Sequence, residues 1–526
     1  KPKIKDMIYL TQSIHRNAQI YPNLPATVNG DRTHTWKELK DRIARLAGGL
    51  KKMNIQDNDR IAILSLNSDR YLEYYYAIPW AGCSVVPLNI RWSAKENSYS
   101  ITDAGAKILF VDDTFAPMVS ALKADGVELS HVIYMGDKEC PEGMEDYEEL
   151  IESNNPAEDA ERHNDDLAGI FYTGGTTGFP KGVMLTHTSI WASSASTVAV
   201  IAMKPSSRYL HAAPMFHLAD EAMLQCAVMI GATNHFIPSF TPAGVTNTIA
   251  AQKITHVLLV PVMIQMTVAE LKSKSCDQSS LEYVIYGASP ISEASLIDAM
   301  TAWPSVKFAQ GYGQTELSPI ATILTWEYHT TSGPNSGYLK SAGKAIACTE
   351  VRIVDKEGKE VDRKEIGEIA VKGANAMQGY WNKPEETAKS MRNGWIHTGD
   401  AGYMDDEGFV FLVDRVKDMI VSGGENVYSA ETENAIMNHP AIAQAVVIGI
   451  PNEKWGEQVH AEVILHDGMV ASADDIIAEC AKHIANYKCP RSVIIRTEPF
   501  PMSGAGKLLK KDVRAPYWEG KTRMIG

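Results

Sequence analysis

Cysteine is scarce: seven residues in 526, at 83, 140, 226, 276, 348, 480 and 489, an odd number with no CxxC pair. That spacing argues against a zinc ribbon or a disulfide framework and fits a reducing compartment such as the cytosol. Apolar runs are short. None reaches 18 residues, so no transmembrane helix is expected. The opening KPKIKDMIYL has no apolar h-region or cleavage site, so no secretory leader is expected. Basic charge is outweighed, 50 Lys and Arg against 64 Asp and Glu, for a net charge of −14. A polyanion such as nucleic acid is thereby disfavoured as the main partner, although a local basic site is compatible. Internal repeats and low-complexity tracts are absent. What is there is 45% hydrophobic and 22% charged, enough for a large core. The length suits one large α/β domain plus a small one, or about three domains.

Apolar residues at helical spacing in 36–53 (Leu39, Ile43, Leu46, Ala47, Leu50) predict an amphipathic helix. Apolar runs at 60–65, 84–88 and 107–111 predict strands, and 71–81 a buried helix in which Tyr74, Tyr75 and Tyr76 pack rather than stack on a base. The alternation continues to 330, with strands at 212–217, 257–261 and 283–287 running into loops. It implies a mostly parallel, doubly wound sheet with ligands at the carboxyl ends of its strands. Segments 350–354, 367–371 and 408–413 alternate and carry Gly and Asp turns, as a small β subdomain would. A helix at 429–438, strands at 443–449 and 462–465 and a helix at 473–484 predict a small α+β C-terminal domain.

The string Tyr172 to Gly182, YTGGTTGFPKG, follows the buried run 167–172. Gly174, Gly175 and Gly178 let backbone amides approach an anion, Thr173, Thr176 and Thr177 add hydroxyl donors, and Lys181 adds a mobile charge. That is a polyphosphate cradle. It is not a Walker A loop, which needs Ser or Thr after its lysine where Gly182 stands. With Pro180 on the other side, the loop is expected to stay mobile. Gln310 to Glu316, QGYGQTE, offers Tyr312 to stack on a base, Thr315 to bond a phosphate and Glu316 to hold Mg²⁺. With His217 and 287–290 it lies at strand ends that converge on one crevice; His217 reads equally as a structural histidine. Asp400, ending WIHTGD, suits a ribose diol. The string 414–418 (DRVKD) reads alone as a solvated linker. SGGEN at 422–426 and PMSGAGK at 501–507 are further glycine loops, and Lys507 reads as a tail charge or as a residue delivered by a moving domain.

Five motifs in order, YTGGTTGFPKG, GYGQTE, GYWNKPEET with WIHTGD, DRVKDMIVSGGENVYSAE and PMSGAGK, make nearly the whole chain resemble the adenylate-forming superfamily of acyl-CoA synthetases, luciferases and peptide-synthetase adenylation domains. The resemblance implies an α/β large domain, 1–413, of doubly wound sheets plus the β subdomain, a hinge at 414–417 and a mobile α+β domain, 418–526. It implies ATP, Mg²⁺ and CoA as cofactor and co-substrates. Thr173, Gly174, Gly175, Thr176, Thr177 and Lys181 would form the phosphate loop. Gly287, Ala288 and Ser289 would line the adenine and acyl side, with Gly311, Tyr312 and Gly313 against adenine. Thr315 would contact the α-phosphate, Glu316 hold Mg²⁺, Asp400 and Arg415 bind ribose, and Lys417 form the hinge. Lys507 would be the adenylation lysine, His217 would flank the acyl pocket, and Gly423 and Gly424 would leave room for pantetheine. Gly174, where many members have Ser, and Gly504-Ala505 are departures that remove no charge.

The implied reaction joins a carboxylic acid to CoA through an acyl-adenylate. The acid is expected to be short- to medium-chain, a fatty acid or 3-methylmercaptopropionate, with a cinnamate-type aryl acid as alternative. A carrier-protein acceptor and a non-enzymatic nucleotide-binding regulator are the competing readings; the presence of Lys507, Glu316 and Asp400 counts against the regulator. The cytoplasm is the expected setting, and a homodimer is common among enzymes of this resemblance.

Overall fold

The computed structural model describes residues 7–173, 180–289, 291–415, 418–422, 425–452, 455–502 and 508–519. The chain divides into two compact units, 1–350 with 371–396, and 351–370 with 397–526.

Two sheets build the first unit. One runs in the order Gly379–Tyr380, Lys181–Thr186, Leu167–Thr173, Ser84–Pro87, Arg60–Leu64, Ile108–Val111, His131–Tyr134, Glu145–Asp146. It is parallel from Leu167–Thr173 onward, and its other edge is antiparallel. The second has nine strands and a parallel centre, Lys307–Gly313, Tyr283–Gly287, His256–Leu258, Arg208–His211, Thr233–Phe236 and Pro25–Asn29, with antiparallel strands at both edges. The parallel strands Arg60–Leu64, Ser84–Pro87, Ile108–Val111 and Tyr283–Gly287 are short, mostly apolar and buried, as strands covered by helices on both faces are.

Local chemistry sets the helix starts. Thr35 and Glu38 form a reciprocal capping box for Trp36–Lys51, whose apolar stripe (Leu39, Ile43, Leu46, Leu50) is buried. Helix Asp69–Trp80 is buried along its whole length, as expected, and its tyrosines do pack. Three of the hydroxyls are satisfied: Tyr74 donates to the Ile61 carbonyl, Tyr75 to the Met215 carbonyl and Tyr76 to Gln225. Two expected strands differ. Residues 212–217 form no strand: the strand here is Arg208–His211, which ends before 212, and the chain then turns into helix Leu218–Ile230, capped by His217. The one sought at 257–261 ends at Leu258, because Pro261 opens helix Pro261–Ser273.

In the second unit, strands Trp395–Met404, of which 397–404 belong here, and Val410–Arg415 pair antiparallel. Beyond them Ile442–Asn452 and Gly456–Leu465 form a long antiparallel pair, with Ser492–Ile495 parallel beside it. Helices Ser429–Ile436 and Ala473–Cys480 close a core of Val427, Ile436, Val447, Val459, Val463 and Ile476. Among the described residues no helix is long and apolar enough to cross a membrane.

Candidate active site

The cradle begins and ends on a strand pair. Thr173 closes Leu167–Thr173 and lies opposite Lys181, the first residue of Lys181–Thr186. The Thr173 hydroxyl donates to the Lys181 carbonyl at 3.4 Å. The loop's two ends are thus held in register, while Gly174, Gly175, Thr176 and Thr177, and with them the expected mobility, lie outside the described residues. Gly182 has a packing cause: a Cβ there would come 2.6 Å from the Ile170 side chain and 3.1 Å from the Tyr172 ring. Tyr172 in turn donates to Asp103 at 2.7 Å.

The second cluster sits at parallel strand ends. Gly287 ends Tyr283–Gly287, directly beside Gly311 of Lys307–Gly313. A Cβ on Gly287 would lie 2.2 Å from the Gly311 carbonyl oxygen, so only glycine lets the strands close there. Ala288 turns away with φ 66°. Tyr312 is buried at the penultimate position of its strand, and Thr315–Leu317 form one 3₁₀ turn that carries Glu316. Two strands away, the chain leaves His211 and returns at His217, whose Nδ1 accepts the Ala219 amide at 3.2 Å. His217, Gly287 to Ser289 and Gln310 to Glu316 therefore share the carboxyl edge of one sheet, as the strand pattern suggested.

One residue of the GYWNKPEET stretch joins the two clusters. Strand Gly379–Tyr380 pairs with Lys181–Thr186, and the Tyr380 hydroxyl donates to Glu316 Oε1 at 2.7 Å. The Lys181 ammonium stands 5.0 Å from the Tyr380 ring centre. Burial and the Glu316 charge push the Tyr380 phenol well above its ordinary range, so it stays a donor. The Met377 amide also donates to the Glu316 carbonyl at 2.9 Å. No periodicity links residues 64 positions apart, so Tyr380 carried no sequence signal beyond its place in the motif.

Of the polar residues after His217, Asp220 is bound to His211 (2.6 Å) and Tyr209 (2.8 Å). Glu221 is buried, accepts from Gln225 at 2.8 Å, and is pushed up by desolvation to about 8. Met223 lies in the core. His235 is buried in its strand and pushed down to about 4 by desolvation.

In the second unit Asp400 lies opposite Arg415 in the antiparallel pair, and its amide donates to Thr398 at 3.1 Å. Asp414 is not a solvated linker residue: it accepts from both the amide and the hydroxyl of Ser429 at 2.5 Å. Lys417, Gly423, Gly424 and Lys507 lie outside the described residues. The segment beyond Lys507 is held by a bridge between Met502 and Leu508 and by Lys510, which reaches Glu433 at 2.7 Å and Ser429 at 2.6 Å.

Thr173 and Lys181, which hold the two ends of a Gly/Thr-rich loop in register, and Tyr380, which joins Lys181 to the Glu316 carboxylate at the strand ends of the other sheet, fit a nucleotide-handling α/β enzyme. The model of the family described as AMP-binding enzyme matches residues 14–381, and that of the AMP-binding enzyme C-terminal domain matches 431–507. The chain belongs to this family of adenylate-forming enzymes. It is 35% identical over 503 residues to a feruloyl-CoA synthase of Amycolatopsis, covering 95% of this chain and 98% of that one. It is 33% identical to a medium/long-chain fatty-acid–CoA ligase of Mycobacterium tuberculosis, covering 96% and 90%. Its structure resembles the o-succinylbenzoate CoA synthetase of Bacillus subtilis in complex with its acyl-adenylate intermediate, with TM-score 0.82, 30% identity, and 95% and 97% of the two chains covered.

Proposed function

We infer that the chain is an AMP-forming acid–CoA ligase for a short- to medium-chain carboxylic acid, a fatty acid or 3-methylmercaptopropionate. The observation that carries the reaction is the joint placement of Lys181, Tyr380 and Glu316 at the meeting of cradle and strand ends. In the first half-reaction a carboxylate oxygen attacks the α-phosphorus of ATP and pyrophosphate leaves. In the second the CoA sulfur attacks the acyl carbon, the thiol proton is lost and AMP leaves.

Attack of one anion on another needs positive charge and donors set in advance. Lys181 supplies charge at the cradle's exit and has no carboxylate partner among the described residues, so it is available to phosphate. Thr315 adds a hydroxyl beside Glu316. Glu316 Oε2 has no partner among the described residues while Oε1 is taken, which fits a carboxylate that holds Mg²⁺. When bound, Mg²⁺ would offset phosphate charge. Tyr312 would pack on adenine, Asp400 and Arg415 bind the ribose hydroxyls, and His217 border the acid. Lys507 would bridge carboxylate and α-phosphate and be worth on the order of 10²–10³ in rate. Rotation of the C-terminal domain about Lys417 would then withdraw it and bring Gly423 and Gly424 to the pantetheine arm.

An aryl acid is the second reading, favoured by the 35% identity to a feruloyl-CoA synthase. AMP release across acetate to palmitate, 3-methylmercaptopropionate and cinnamates, each with and without CoA, tests both. CoA-dependent release with the aliphatic acids supports the first reading, and release with cinnamates alone replaces it with the second. Release that ignores CoA assigns another acceptor.

A further inference from the structure

We propose that Tyr380 is a positioning residue that aims the Glu316 carboxylate and ties the exit of the phosphate loop to it. The inference rests on the adenylation reading above. Three contacts carry it. The hydroxyl donates to Glu316 Oε1 at 2.7 Å, which fixes the rotation of the carboxylate and leaves Oε2 as its open oxygen. The ring lies under the Lys181 ammonium at 5.0 Å, within the range of a cation–π contact. The backbone pairs Tyr380 with Val183, two residues past that lysine, and the Trp381 amide donates to the Gly182 carbonyl at 2.7 Å.

One side chain thus meets a cation with its face and an anion with its edge. Lys181 and Glu316 are carried by different sheets, and among the described residues Tyr380 contacts both, so it sets their spacing. Its own place is fixed: the amide donates to Thr387 at 2.9 Å, and the Ser390 hydroxyl lies 3.5 Å from the phenol oxygen. A carboxylate that holds a cation through one oxygen is commonly oriented by a donor on the other, and loss of such a partner lowers metal affinity about 10–100-fold.

Phenylalanine keeps the ring and removes the donor, so Tyr380→Phe isolates the hydroxyl. Calorimetric titration with ATP, in EDTA and at graded Mg²⁺, reads binding apart from turnover. The Mg²⁺ concentration for half-maximal tightening of ATP binding is expected to rise about 10–100-fold in Tyr380→Phe, with ATP affinity in EDTA changed less than twofold (about the scatter of such a comparison). Tyr380→Leu, which also loses the ring, is expected to weaken ATP binding in EDTA as well, because Lys181 is released. On a Glu316→Gln background, Tyr380→Phe is expected to add nothing, as for two residues acting through one interaction. Equal Mg²⁺ dependence in the wild-type protein and Tyr380→Phe overturns the proposal, as does full additivity with Glu316→Gln. A fall in binding that is equal with and without Mg²⁺ also overturns it and makes Tyr380 a packing residue. Wild-type protein that binds ATP indifferently to Mg²⁺ overturns the adenylation reading itself, a separate result.

Discussion

Gly287 and Glu221 show how much a single position decides. Gly287→Ala would set a methyl 2.2 Å from a backbone oxygen that cannot move without the strand. Overpacking of that kind costs about 1–3 kcal/mol, so a drop of several degrees in melting temperature and loss of ATP binding are expected. Glu221 acts through pH. Its buried carboxyl is raised from 4.5 to about 8, so it favours the fold most below pH 4.5 and loses that contribution as pH rises to about 8. The slope is at most about 1.4 kcal/mol per pH unit. Glu221→Gln is expected to gain stability relative to wild type from pH 5 to 8 and then level off, as thermal melts at a series of pH values would record. Glycine at 287 and the glutamates were visible in sequence. The 2.2 Å approach, the burial of Glu221 and the partnership of Tyr380 with Glu316 were not, because each depends on residues brought together from far along the chain.

Among the elements, helix Leu218–Ile230 begins on the His217 ring itself. Loss of an N-cap costs about 0.5–2 kcal/mol. His217→Ala is therefore expected to lower the melting temperature and raise the KM for the acid, whereas His217→Asn restores the cap without the ring's reach. Recovery of stability without recovery of acid KM in His217→Asn would separate the two roles; recovery of both would leave His217 a cap alone. The C-terminal elements are latched similarly. Burial opposes the Lys510 charge, but Glu433 and Asp414 outweigh it and raise its pKa. Lys510→Met strands Glu433 and should destabilise the second unit by roughly 3–5 kcal/mol, the usual result of breaking a partly or wholly buried pair, read by proteolysis of 397–526. Element type was legible for the apolar strands and the Trp36–Lys51 stripe. Ends were missed where a cap decided them, as at His217 and Pro261, since a strand-like run and a capped helix start share the same few residues.

For the whole molecule, three buried histidines oppose Glu221. His187, His235 and His329 are each lowered from 6.5 to about 4 by desolvation, so each favours the fold above pH 6.5 and loses that contribution as pH falls. Below pH 6.5 three histidines outweigh one glutamate; above it Glu221 acts alone among these four. A stability maximum near pH 6.5 is expected in melts of the intact chain, and a monotonic rise to pH 8 would count against it. In function, Lys507→Ala is expected to abolish adenylation while sparing thioester formation from supplied acyl-adenylate; equal loss of both would sink domain alternation.

Gly182 also bears on descent. Conversion of this loop to the Walker type asks for a hydroxyl residue after Lys181, yet any side chain there meets Ile170 at 2.6 Å and the Tyr172 ring behind it. No single codon change crosses that gap without first hollowing the strand beneath, so the two ways of gripping a nucleotide are isolated peaks for this scaffold. Diversification is then channelled to the acid side, where strand ends and loops tolerate exchange, and a lineage of such enzymes would be expected to keep one cradle while changing what it activates.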